Sequence, residues 1–200
     1  MKICILKETA QNEKRVALVP DVAKKLINDG FEIFLESGAG KQSDFSDEDF
    51  KNVGVEAGDA DTVIPNADII FSVKMPDIES IKKMKAEACL IGLLNPYDNH
   101  DQLKALSENN INAFSMELVP RSPRAQSMDV LSSQSNLAGY KAIVDSSSMF
   151  NRAMPMMMTA AGTIAPAKIF IMGVGVAGLQ AIATAKRMGA VVSATDVRRA

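Results

Sequence analysis

The chain has 200 residues, 47% of them apolar, and its 22 basic and 24 acidic side chains leave a net charge of -2. That near-balance supplies no electrostatic footprint for nucleic acid, and no run approaches the roughly 18 consecutive apolar residues of a membrane span. Cys4 and Cys89 lie in apolar runs without CxxC spacing, which predicts reduced, buried thiols of a cytosolic chain and no metal site.

The N-terminus enters a strand-like run directly, MKICIL, with no signal-peptide pattern. Further strand-like runs begin near Phe31, Ile69, Cys89 and Ile111, and their Ile, Phe and Val content suits a buried parallel sheet. Helical stretches lie between them: Asp21 to Asn28 closed by Gly30, Ser46 to Asn52 closed by Gly54, Asp77 to Ala86, and Asp98 to Glu108. Ser46 followed by Asp49 approximates a capping box. The alternation predicts an N-terminal α/β lobe, assigned to residues 1–129, with helices on both faces of its sheet.

Ligands of open α/β sheets bind beyond the carboxyl ends of the strands. Those ends carry Lys7, Glu8 and Arg15, then Lys74, Asn95, and finally Glu117 and Arg121. Such residues line a cleft if they converge, or simply meet solvent if they do not. His100, the only histidine, is expected to be exposed at a helix start.

Pro120 and Pro123 hold the beginning of RSPRAQSMDVLSSQSNLAGY out of a helix. The pattern turns helical at Val130, with Ser127 or Asp129 as N-cap. Arg121, Gln126 and Asp129 are therefore expected on a loop leading into a helix N-terminus, a place for polar ligand contacts or merely a capped loop. The helix and the loop after it are expected to connect two domains across residues 130–165. Within that span MPMMM reads as packing between domains, because thioethers fill irregular gaps, and AGTIAP reads as a loop.

The last stretch, KIFIMGVGVAGLQAIATAKRMGAVVSATDVR, carries the strongest motif. An apolar run meets Gly173, Gly175 and Gly178 in GxGxxG spacing, a helix follows, Gly189 closes it, and Asp196 ends a second apolar run about 20 residues on. Gly173 permits the tight turn, Gly175 lets backbone approach a pyrophosphate, and Gly178 lets helix pack on strand. The diphosphate then faces the free amides of the helix N-terminus. Asp196 is expected to accept from the adenosine ribose hydroxyls and so favour NAD over NADP, although Arg198 and Arg199 are placed to accept a phosphate.

Together with KETAQNEKRVALVP, SVKMP, PRSPRAQSMDVLSSQSNLAGYKA and MPMMMTAAGT, this motif resembles the alanine dehydrogenase/transhydrogenase family over essentially the whole chain. The resemblance is nearest to domain I of its proton-translocating NAD(P) transhydrogenases. It implies an α/β protein of two Rossmann-like lobes with parallel sheets, the second lobe incomplete, with NAD(H) in the cleft between them. It further implies Arg121, Gln126 and Asp129 beside the nicotinamide as the catalytic set. The cofactor-binding set is Ser127, Met128, Ser132, Gly173, Gly175, Val176, Gly178, Asp196, Val197 and Arg198, with Ser132 reaching the carboxamide.

The resemblance also implies a homodimer and docking to the NADP-binding and membrane domains or subunits of a transhydrogenase, with NADP(H) on the partner domain. The place of action would be the cytoplasmic side of the inner (plasma) membrane, held there through partner subunits. The expected reaction is direct hydride transfer from NADH to NADP+, which moves no proton at the reacting carbons and needs positioning and water exclusion rather than a base. Two alternatives stand beside it. An alanine dehydrogenase-like enzyme would use Arg15 and Lys74, which match its carboxylate-binding positions, but it needs a proton shuttle where this chain places Asn95. An inactive nucleotide-binding fragment is the other, because the sequence stops just after the second Rossmann strand and reads as a truncated chain whose exposed sheet edge predicts association.

Overall fold

The computed structural model describes residues 1–120 and 122–198, and the chain forms two compact units, Met1–Met128 and Asp129–Ala200. The first contains β1 (Lys2–Ile5), α1 (Pro20–Asn28), β2 (Glu32–Glu36), α2 (Asp47–Lys51), β3 (Glu56–Gly58) and α3 (Ala60–Val63). It continues through β4 (Ile69–Lys74), α4 (Ile78–Lys83), β5 (Cys89–Leu93), α5 (His100–Glu108) and β6 (Asn112–Ser115).

The strands form one parallel sheet in the order β3-β2-β1-β4-β5-β6. This is the doubly wound order, with its switch point between β1 and β4. Alternation along β1 sends Cys4 to one face and Ile3 and Ile5 to the other, so each face carries its own core. One core gathers Ile70, Leu90, Ile64, Ile81 and Leu106, and the opposite one gathers Ile33, Leu35, Ala23 and Phe50. Burial pushes the Cys4 thiol up to about 12, while Cys89 is only partly buried.

In the sheet region of this unit, β3 and α3 escape the sequence pattern. β3 and α3 span three and four residues, too short for a periodicity to register. The capping box at α2 forms as its spacing predicts: the Ser46 amide donates to Asp49 at 2.7 Å, and the Asp49 amide donates to Ser46 Oγ at 3.2 Å.

The second unit holds α6 (Val130–Met149), β7 (Met157–Thr159), β8 (Gly162–Ile164), β9 (Lys168–Met172), α7 (Val176–Arg187) and β10 (Val191–Thr195). β9 and β10 pair in parallel around α7 as a βαβ unit, while β7 and β8 form a separate antiparallel hairpin. That hairpin replaces the expected AGTIAP loop; the β-tolerant Met, Thr and Ile flank a turn closed by Gly162 at φ 143°. Of the methionine run, Met154 is buried with Ile143, Ala167, Ala181 and Ala185 in this unit's own core, while Met156, Met157 and Met158 are exposed. α7 turns Ala181, Thr184 and Ala185 inward, and Leu179 is 56% exposed. Among the described residues no helix is long and apolar enough to cross a membrane, and no group of three or more metal-ligating side chains forms.

Candidate dinucleotide site

β9 runs into Gly173, whose φ of 96° is open to glycine without strain, and the Gly173 amide donates to the Thr195 carbonyl at the end of β10 at 2.7 Å. Gly175 then caps α7. A Cβ on Gly175 would meet nothing within 4 Å, so the backbone there stands open to a ligand. A Cβ on Gly178 would lie 1.9 Å from the Gly173 carbonyl oxygen, so the third glycine is required by the packing of helix on turn. Val176 begins α7 and is exposed beside that opening.

Asp196 closes the turn from the other side. Its Oδ2 accepts from the Val174 amide at 2.7 Å and its Oδ1 from the Arg198 amide at 2.8 Å. These amides hold its carboxyl below the usual carboxylate range, with a smaller contribution from the Arg198 side chain, whose Nε lies 3.6 Å from Oδ1. Each oxygen keeps a further lone pair for an outside donor. Arg198 is therefore drawn towards Asp196, and Val197 between them is fully exposed. Arg199 lies outside the described residues.

The polar segment ahead of α6 departs from the expected loop. Residues Pro123–Met128 form a 3-10 turn that starts at the proline, because a first position needs no amide donor and a fixed φ suits it. Ala125 is its buried contact, and Gln126, Ser127 and Met128 face outward. Asp129 is the N-cap of α6: its Oδ1 accepts from the Ser132 amide at 2.9 Å and its Oδ2 from the Ser132 hydroxyl at 2.6 Å. Two residues of the expected site, Asp129 and Ser132, are thus joined to each other. Arg121 lies outside the described residues.

The strand ends of the first unit carry a separate charged cluster. Glu8 accepts from the amides of Val73 at 2.6 Å and Lys74 at 3.2 Å, tying the end of β1 to the end of β4. Burial raises its pKa, and those two amides oppose the rise. Glu13 takes Arg15 in a fork, Nε to Oε1 and Nη2 to Oε2 both at 2.7 Å, with Lys74 Nζ 3.6 Å from Oε2. The bond from Arg15 holds the Glu13 carboxyl down at about 2. At the end of β5 the Leu94 and Asn95 amides donate to Glu117. His100 is exposed in the first turn of α5.

Sequence reasoning singled out the three glycines and Asp196 but not the residues that pack against their turn. Gly139 on α6 is buried against α7, and Asn136 donates from Nδ2 to Gln180 Oε1 at 3.1 Å. A glycine in the middle of a good helical pattern was the available signal.

The chain matches the alanine dehydrogenase/PNT N-terminal domain over residues 4–138 and the C-terminal domain of the same description over residues 142–200. It is 49% identical to an NAD(P) transhydrogenase alpha-subunit chain of Rhodospirillum rubrum, covering 100% of this chain and 54% of that protein. Among solved structures it is similar to the transhydrogenase from Sinorhizobium meliloti, with a TM-score of 0.94 and 49% identity over 99% of this chain and 59% of that one. An L-alanine dehydrogenase shares the fold at a TM-score of 0.83 and 24% identity, over 99% of this chain and 55% of that one. The chain spans about half the length of the curated relatives it matches.

Proposed function

The chain belongs to the alanine dehydrogenase/PNT family, and from that membership we propose that it supplies the NAD(H)-binding part of a proton-translocating transhydrogenase. The observation that carries this reading is the Gly173–Gly178 turn with the Asp196 carboxylate seated on the Val174 amide. The open face at Gly175 and the free amides of α7's first turn fit a pyrophosphate. Asp196 fits ribose hydroxyls and repels a 2′-phosphate, so the site takes NAD(H) in preference to NADP(H). Ser132, Val176, Val197 and Arg198 complete the cofactor-binding set, with Ser127 and Met128 from the turn before α6.

The bound dinucleotide supplies the hydride, which passes from C4 of NADH to C4 of NADP+ held on a partner domain. This chain's residues need only bind, orient and exclude water, because no proton is exchanged at the reacting carbons. In this reading Arg121, Gln126 and Asp129 flank the nicotinamide. Both carboxylate oxygens of Asp129 accept from Ser132, which holds the side chain in one orientation. Partners are the NADP-binding and membrane components of the complex and a second copy of this chain. The complex brings the chain to the cytoplasmic side of the inner membrane.

The full-length protein joined to its NADP-binding partner should reduce NADP+ with NADH. Absence of transfer with both nucleotides bound would leave only a nucleotide-binding role, and partner-free, alanine-dependent NAD+ reduction would instead install Arg15 and Lys74 as substrate ligands. Within the transhydrogenase, Gln126→Asn and Asp129→Asn should slow transfer at least roughly tenfold while NADH affinity changes less. Asparagine caps a helix as well as aspartate does, so the second change removes the charge and leaves α6 in place. Equal losses in rate and affinity would assign both residues to ordinary binding.

A further inference from the structure

We propose that Gly139, in the middle of α6, is a positioning residue of the phosphate-binding turn, acting from outside the GxGxxG motif. The inference rests on the dinucleotide reading above and concerns what holds the turn in shape.

A Cβ on Gly139 would lie 2.1 Å from the carbonyl oxygen of Ala177, 2.9 Å from its carbon and 3.0 Å from its Cα. All three are backbone atoms of the second residue of α7, so the contact cannot be relieved by a side-chain rotation. At the next residue of the same turn, a Cβ on Gly178 would lie 1.9 Å from Gly173 O. The first turn of α7 is therefore approached closely at two glycines, one from its own motif and one from α6. No positive φ calls for glycine at position 139, and glycine is a poor residue for a helix interior. Close approach is the physical reason for it.

One polar bond ties α7 to α6 one turn further along, and two bonds within α7 hold its Gln180 side chain in place. Asn136 donates to Gln180 Oε1 at 3.1 Å, Gln180 Nε2 donates to Thr184 Oγ1 at 3.1 Å, and that hydroxyl donates to the Gln180 carbonyl at 2.8 Å. Gly139 sets the close approach of the two helices, and the Asn136–Gln180 bond ties them beside it. The amides after Gly175 are consequently aimed by α6, the same helix whose N-cap is Asp129.

The test uses the full-length protein with three probes: NADH, ADP-ribose, which carries the pyrophosphate, and adenosine, which lacks it. Gly139→Ala should weaken ADP-ribose and NADH about tenfold, as misaligned amide bonds to a charged group imply, and adenosine less than about twofold. Ile143→Val, a change in the same α6–α7 core away from the turn, should lower the melting temperature and leave ADP-ribose binding as in wild type. Asn136→Ala, at an exposed position, should weaken ADP-ribose about threefold at unchanged melting temperature, and it carries the test if Gly139→Ala does not fold. Retained ADP-ribose affinity in Gly139→Ala, or in Asn136→Ala where that variant carries the test, overturns the inference. So does equal weakening of adenosine and ADP-ribose, or loss in Ile143→Val. A wild-type protein that binds neither NADH nor ADP-ribose overturns the dinucleotide site itself.

Discussion

Glu13 shows how a single side chain can be read only in its setting. In the sequence it is one acid in NEKR; in the fold it is 7% exposed and forked by Arg15, with Lys74 beyond. Its carboxyl titrates near 2 against an ordinary 4.5. A depressed folded-state pKa contributes stability that is present above the unfolded value and lost as pH falls through the folded one. The window therefore runs from about pH 4.5 down to about 2. The difference corresponds to roughly 2 kcal/mol after allowance for solvent screening of the Arg15 side chain. Glu13→Gln should lower stability at pH 7 and flatten that acid limb in denaturant melts followed from pH 6 to pH 2. Glu8, raised by burial, works in the opposite sense and favours the folded state as it takes up a proton. An unchanged acid limb in Glu13→Gln would remove the Arg15 fork as its cause.

At the scale of elements, the βαβ turn separates two kinds of glycine. Gly175 faces open space and Gly178 faces the Gly173 carbonyl, so the same substitution should have different consequences. Gly175→Ala should keep thermal stability within about 0.5 kcal/mol and weaken NADH, because its methyl occupies the ligand's approach. Gly178→Ala should cost about 1–3 kcal/mol and weaken NADH as well, because α7 must lift off the turn. Calorimetry beside NADH titration checks both, and equal stability losses would contradict the geometry. The regular elements of the first unit were legible because their periods are long enough to count: α1 and α5 each span nine residues, and five of the six strands occupy apolar runs. β3, α3, the β7–β8 hairpin and the 3-10 turn at Pro123–Met128 were not, since these short stretches carry neither an apolar run bounded by turn residues nor a countable helical period, and take their form from neighbours.

For the molecule as a whole, the two units divide the work unequally. The Met1–Met128 unit has two full cores around a six-stranded sheet, whereas the unit from Asp129 onward holds the α6 cap, the glycine turn and Asp196. A ligand that binds the native state stabilises what it touches. NADH added to the full-length protein should therefore slow hydrogen exchange at residues 173–178 and 129–132, and leave β1 and β4 as they were. Protection of β1 and β4 without protection of the glycine turn would place the nucleotide elsewhere.

The sequence alone determined the alternation of strand and helix, the GxGxxG spacing with Asp196 beyond it, and a cap for α6 at Ser127 or Asp129, between which the structure chooses Asp129. Each is a local pattern, written within one period of a helix or strand or within one turn. Only the tertiary structure decided that α7's first turn is approached closely by Gly139, that Asn136 bonds Gln180, that Asp196 holds Val174 and that Glu13 takes Arg15. The α6–α7 and Asp196 contacts depend on a distance of closest approach between chain segments 22 to 44 residues apart. The Glu13 fork is short in sequence but depends on how far its surroundings exclude water. Approach distances and dielectric surroundings are set by packing, which no local spacing encodes.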